Sequence, residues 1–293
     1  MKLSYKIKTV DTYATLKEVL KAHFKISDRL LLKLKKNKKI LLNSEITYIH
    51  HSVKVNDIID VFLDLDEDNS NIVPTKMNLD IIYEDEAYIV VNKPAGIPVH
   101  PSMDHYEDSL SNGIKYYYDE IGLKKKIRPV NRLDRNTSGL VIFAKSEYIQ
   151  EQLIEQMKNN LFYKEYIAIC EGKFENPKGI INAPIVRKEN SIIERCVSVN
   201  GDVAITEYEV LNYNSKENYS VVKCILKTGR THQIRVHMSY IGHPLLGDTL
   251  YGHESEKIDR QALHSYKMSF VHPIKQKKVT YIATYPNDIQ NIC

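Results

Sequence analysis

The feature that most restricts the fold is a succession of short strand-like runs that begins near Leu79 and continues almost to the C-terminus. The stretch "IIYEDEAYIVVNKP" reads as two strands around an acidic turn. "LFYKEYIAICEG", "AITEYEVLNYN" and "YSVVKCILKTG" carry the aromatic and branched residues that suit a pleated, half-buried surface. Helical spacing occurs in "EDSLSNGIKYYYDE" and in "SEYIQEQLIEQMKNN", the second placing Ile149, Leu153, Ile154 and Met157 along one side. Strands that arrive in series, with few helices between them, predict an α+β domain on a mixed, largely antiparallel sheet.

Charge divides the chain unevenly. Residues 1–63 hold 13 Lys+Arg against 6 Asp+Glu, a balance of +7, which leaves 28 against 31 for the remainder of a chain whose net charge is +4. A basic end on a near-neutral body suggests a polyanion-binding module joined to something else. Within it, "DTYATLKEVLKAHF" spaces Leu16, Val19, Leu20 and Phe24 as a helix does. "ISDRLLLKLKKNKK" offers Ser27 as an N-cap and sets Arg29, Lys33 and Lys36 on one face. "KILLNSEIT" and "VKVNDIIDVFLD" read as strands on either side of a polar turn. This helix-helix-sheet layout resembles the S-four-like RNA-binding domain, which would make the three basic residues RNA contacts. The acidic, Pro-containing "DLDEDNSNIVPTKMN" has a linker's composition. The expected division is therefore residues 1–66, a linker at 67–77, and a second domain at 78–293.

Several chemistries lack their signatures. There is no GxGxxG, no GxxxxGK[ST], no HExxH, no HxE…PCxxC and no GxSxG. His232, His237 and His243 stand five and six apart, which does not give the i, i+4 face of a helical zinc pair. No metal or organic cofactor is expected. Four cysteines without CxxC spacing read as reduced thiols, no apolar run reaches membrane length, and the start has no apolar block after its lysines. These point to the cytoplasm and away from a membrane.

In "NRLDRNTSGLVIFAKS", Asp134 sits between two arginines just ahead of an apolar run. It is either a surface ion pair with Arg132 or Arg135, or a reacting carboxylate in a cleft for a polyanion. "VNKPAGIPVHP" sets Lys93 and His100 in a stiff loop that serves either a phosphate backbone or a turn. On the strand "FYKEYIAIC", Tyr166 shares a face with Lys164. In "KTGRTHQIRVHMSYIGHPLLGDTLYG", Thr231 could cap a helix in which Arg235 lies one turn beyond His232. Arg230, His232 and Gln233 would then form an anion-contacting edge.

Jointly, "NKPAGIPVH", "RLDRNTSGLVIFAK", "YKEYIA" and "GRTHQIRVHMSYIGHPLLGD", in this order, closely resemble the RluA/RluC/RluD-type pseudouridine synthase family over about residues 78–285. The resemblance implies a sheet with a central RNA-binding cleft, no metal or organic cofactor, and Asp134 as the catalytic carboxylate. It implies that Arg235 pairs with Asp134, that Tyr166 stacks on the uracil, and that Arg132 can fill the space a flipped nucleotide leaves. RNA is the implied partner, with large-subunit ribosomal RNA favoured over transfer RNA, and nothing requires more than a monomer. Asn131 stands where the family often has His, and an amide hydrogen-bonds there without titrating. The rival reading, a non-catalytic RNA-binding platform on the same fold, would be favoured by loss of Asp134, Tyr166 or Arg235, and all three are present. A nuclease or methyltransferase would need clustered metal-binding carboxylates or a glycine-rich cofactor loop, and neither is found.

Overall fold

A computed structural model describes residues 1–293. It opens on a strand that the sequence did not disclose, β1 (Lys2–Lys6). There follow α1 (Leu16–Glu18), which continues as a π-helical turn over Val19–His23, and α2 (Asp28–Lys36), then β2 (Ile40–Leu42), β3 (Glu45–Ile46) and β4 (Ile58–Phe62). These strands form a four-stranded sheet in the order β1-β4-β2-β3, so β1 pairs with the last strand of its unit. Ser27 caps α2 by accepting from Leu30 N, and Leu30, Leu31 and Leu34 turn inward.

The larger unit carries β5 (Asp80–Glu84), β6 (Tyr88–Lys93), α3 (Leu110–Glu120), β7 (Ser138–Ala144), α4 (Glu147–Lys158) and β8 (Tyr163–Glu171). It continues with β9 (Lys178–Asn182), β10 (Ile185–Arg187), β11 (Arg195–Val197), β12 (Ile205–Asn214), β13 (Tyr219–Leu226) and α5 (Gln233–Tyr240). It ends with β14 (Leu263–Val271), β15 (Lys278–Ile282) and α6 (Asn287–Gln290). Nine of these strands form one sheet in the order β5-β6-β7-β14-β8-β13-β12-β9, with β15 on β14. Every pairing is antiparallel except β7 with β14. The α+β class with a mixed, largely antiparallel sheet is the one the strand runs predict.

Alternation along β6 and β7 distributes the core to both faces. Ile89, Val91, Val141 and Phe143 pack under α3 with Leu110, Ile114 and Tyr118. Val90, Leu140 and Ile142 pack under α4 with Ile149 and Leu153, and this core runs on into the N-terminal unit through Leu3, Leu30 and Val61. The parallel junction needs Gly139, whose φ of +111° and closeness to β14 exclude a side chain; a Cβ there would lie 2.6 Å from Ser265 N. The stretch 67–77 is not a free tether. Glu67 accepts from Arg128 at 2.7 and 2.5 Å, and Asn112 Nδ2 holds the Val73 carbonyl at 2.8 Å. No helix is long and apolar enough to cross a membrane.

Candidate active site

The segment that carries Asp134 is short of regular structure and is held by its neighbours. Asn131 clamps it to β7, accepting from Ile142 N at 3.0 Å and donating to the Leu140 carbonyl at 3.1 Å. An amide does both jobs without charge, which gives the Asn at this position a structural use. Thr137 N donates to the Asp134 carbonyl at 3.0 Å and closes the turn. The Arg135 carbonyl accepts from Gly96 N at 3.0 Å and from Lys93 Nζ at 2.9 Å. The Asn136 carbonyl accepts from Arg260 Nη1 at 2.9 Å, and Arg260 is itself gripped by Asp288 at 2.6 and 2.9 Å.

Facing Asp134 is the first turn of α5. Its N-cap is His232, in the left-handed conformation at φ 58°, and not Thr231. Arg235 is buried, and its Nε and Nη2 donate to the two carboxylate oxygens of Asp248 at 2.7 Å each. Nη1 is left to face Asp134 Oδ2 at 3.3 Å. Burial opposes the guanidinium charge, but the hydrogen bonds and charges of Asp248 and Asp134 together outweigh it and raise the Arg235 pKa. Tyr251 lies under the guanidinium at 5.0 Å and shares a 2.8 Å hydrogen bond with His232 Nδ1. Burial lowers the His232 pKa against the pull of Asp134, so at neutral pH a neutral imidazole stands 3.8 Å from that carboxylate.

Across the cavity, β8 presents Tyr166 and Lys164 on one face. Burial, with the Asp134 charge adding to it, pushes the Tyr166 hydroxyl up to about 12, so the ring is a neutral phenol at neutral pH. Tyr166 pairs in register with Ser265 of β14. The cavity measures about 290 Å³, and Asp134 is the one carboxylate in its lining, set among Arg132, Lys164, Arg230 and Arg235.

The family described as RNA pseudouridylate synthase matches residues 87–240, just over half of the chain and the span that holds Asp134, Tyr166 and Arg235. The chain belongs to that family. This synthase is 41% identical to the uncharacterized RNA pseudouridine synthase YhcT of Bacillus subtilis over 94% of its own length and 91% of that protein. It is 35% identical to the ribosomal large subunit pseudouridine synthase D of Blochmanniella floridana, over 86% and 85% of the two chains. Among solved structures, human RNA pseudouridylate synthase domain containing 1 superposes with a TM-score of 0.59 at 26% identity, covering 71% of this chain and 84% of that one. The synthase is an isomerase that acts on RNA.

Its fold brings Asp134, Tyr166, Arg235, Arg132, Arg230 and His232 to one cavity. Two residues expected at the RNA are used otherwise. Lys93 is wholly buried, and its ammonium donates to the carbonyls of Pro94, Ile97 and Arg135 at 2.8 to 2.9 Å. It braces the Asp134 loop from behind and has no path to a phosphate. Gln233 is also buried, although it borders the cavity. Its amide oxygen accepts from Thr228 Oγ1 and Arg230 N, and its nitrogen donates to Ile205 O and Thr206 Oγ1, so no bond remains for RNA.

His100 is exposed at the end of its loop, 3.4 Å from Ser111 Oγ. Arg132 is exposed at the cavity and has no ion-pair or hydrogen-bond partner within the chain. The basic row of α2 is partly spent inside the protein. Arg29 Nε lies 3.2 Å from Glu147, and Lys33 is hydrogen-bonded to the same carboxylate at the start of α4, leaving Lys36 exposed. Nothing local in the sequence marks Asp248 and Arg260, which hold Arg235 and the Asp134 loop. Asp248 stands in the quoted "GHPLLGD", and its conspicuous feature is only that an acid ends an apolar stretch.

Proposed function

We propose that this synthase isomerises uridines of large-subunit ribosomal RNA, with Asp134 as the reacting carboxylate, Arg235 as its ion-pair partner and Tyr166 as the ring on which uracil stacks. The observation that carries the reading is the single carboxylate of a cationic cavity, lying 3.3 Å from an arginine whose other nitrogens are already bound. The reaction breaks the bond from ribose C1′ to uracil N1 and forms one from C1′ to C5. The C5 hydrogen leaves as a proton and N1 gains one, so composition and oxidation state are unchanged. The detached uracil must be kept and turned, which a neutral, buried ring favours by stacking. A uridine in structured RNA has first to leave its stack, at a cost of a few kcal/mol. The space that it vacates could receive Arg132, which is unpaired and exposed.

The ribosomal assignment draws on the relative that is named a large-subunit enzyme. We read residues 1–66 as an S-four-like RNA-binding unit whose phosphate contacts come from Lys36 and its exposed neighbours Lys35 and Lys38, while Arg230 extends the basic rim of the cleft and His100, its pKa lowered by burial and by Arg132, adds a neutral imidazole to it. On this reading residues 67–77 connect it to the catalytic domain at 78–293. On the same reading the enzyme works as a monomer in the cytoplasm, a reducing compartment that suits its four unpaired thiols.

Tritium release from RNA labelled at uridine C5, with ribosomal and transfer RNA supplied separately, tests the proposal. Release from large-subunit RNA that vanishes in Asp134→Asn is the expected result. Release from transfer RNA alone would overturn the substrate, and release that persists in Asp134→Asn would overturn the assignment of the carboxylate.

A further inference from the structure

Lys164 is the cavity's unexplained charge. Of the other cations lining it, Arg235 is held by Asp248 and Asp134, Arg230 donates to the Val203 carbonyl at 3.0 Å, and Arg132 stands in solvent. Lys164 is only partly accessible, yet it makes no hydrogen bond and no ion pair. The carboxylate next to it in sequence, Glu165, is on the opposite face of β8, where it accepts from Tyr163 Oη at 2.5 Å. The ammonium lies beside the bare backbone of Gly229, where a Cβ would be 3.6 Å from Nζ. Burial with no counter-charge lowers its pKa, the mark of a cation that costs stability in the free protein.

We propose that Lys164 is a substrate-contacting residue that binds the phosphodiester of the uridine drawn into the cavity. The inference rests on the reading that this uridine stacks on Tyr166. Lys164 and Tyr166 are alternate residues of one strand and lie about 6.6 Å apart along it. A nucleotide whose base covers the ring therefore carries its own phosphate into reach of the ammonium. An RNA phosphate supplies the anion that the fold withholds, and the lysine, a point charge on a flexible stem, needs no fixed geometry to meet it. Tyr166 then selects for a base and Lys164 for the backbone attached to it, so free uracil or uridine is a poor ligand.

The test compares Lys164→Met and Lys164→Arg with the wild type on an unmodified large-subunit ribosomal RNA transcript. For Lys164→Met, KM is expected to rise roughly tenfold with kcat within about twofold. The slope of log affinity against log salt should shrink by about 0.7, one single-strand phosphate contact. Without RNA the same variant should melt at a higher temperature than the wild type, because an unpaired buried charge has become a thioether of similar length. Lys164→Arg should keep the wild-type slope. A collapse of kcat with KM and slope unchanged would place Lys164 on the uracil and overturn the proposal, as would a lowered melting temperature with an unaltered slope. Melting and the salt slope do not require turnover. Failure of the ribosomal reading, seen as no tritium release from the wild type, is thus distinguishable from failure of this one.

Discussion

Asp248 holds Arg235 through both carboxylate oxygens at 2.7 Å and leaves one guanidinium nitrogen to meet Asp134 at 3.3 Å. The geometry at Asp134 is thus set by a carboxylate that is fully buried and does not line the cavity. Asp248→Asn keeps the shape but leaves a buried guanidinium short of its counter-charge. We expect a stability loss of about 3 kcal/mol, the cost of breaking a buried pair from one side. We also expect a fall in kcat of roughly 10–100-fold as Arg235 loses its aim. Urea titration and single-turnover tritium release measure the two effects, and an unchanged kcat in a folded variant would contradict the positioning role.

Asp134→Asn should separate binding from chemistry. The side chain is partly solvent-exposed and pairs mainly with Arg235, so the fold should stay within about 1 kcal/mol of the wild type. Turnover should drop by at least about 10³-fold. Filter binding at fixed salt should give nearly the wild-type affinity, and RNA affinity lost along with turnover would count against the assignment.

Two glycines with positive φ give contrasting expectations. Gly96, at φ +92°, has open space where a Cβ would go, so Gly96→Ala should cost about 1 kcal/mol from backbone strain alone. Gly139, at φ +111°, abuts the Ser265 backbone, and Gly139→Ala should cost more than about 3 kcal/mol and part β7 from β14. Denaturation midpoints of the two variants check the order, and equal losses would sink the argument.

Acid stability should carry the signature of His264. The ring is fully buried on β14, bonded to Ser138 Oγ at 2.9 Å, and burial with the Arg260 charge pushes its pKa from 6.5 down to about 4. Between those values the unfolded chain binds the proton that the folded chain refuses. The stability is therefore complete above pH 6.5 and is lost as pH falls through about 4, by about 3 kcal/mol. His264→Gln should flatten that part of the urea-midpoint profile, whereas a slope equal to the wild type's would assign it to carboxylates.

What could be read from the sequence and what could not follows from how far each residue's partners lie. Asp134, Tyr166 and Arg235 stand in contiguous motifs, and the strand runs announce the sheet through local composition. Lys93 looks identical in sequence whether its ammonium reaches solvent or three carbonyls, and only the packing of the Asp134 loop decides. The basic row of α2 was legible as a row, but Lys33 meets its partner Glu147 across 114 residues of sequence. The strand β1 is five residues long and gains its meaning from β4 at the far end of its unit. Asp248 is an ordinary acid until burial makes it the partner of Arg235.

The order of strands also governs when the enzyme comes into being. β14 lies between β7, which follows Asp134, and β8, which carries Tyr166, and it leaves the ribosome after both of them. Until Leu263–Val271 has been synthesised and inserted, the two walls of the cleft have no strand to join them. On the proposal that residues 1–66 bind RNA, chains that stop short of β14 should compete for RNA without modifying it.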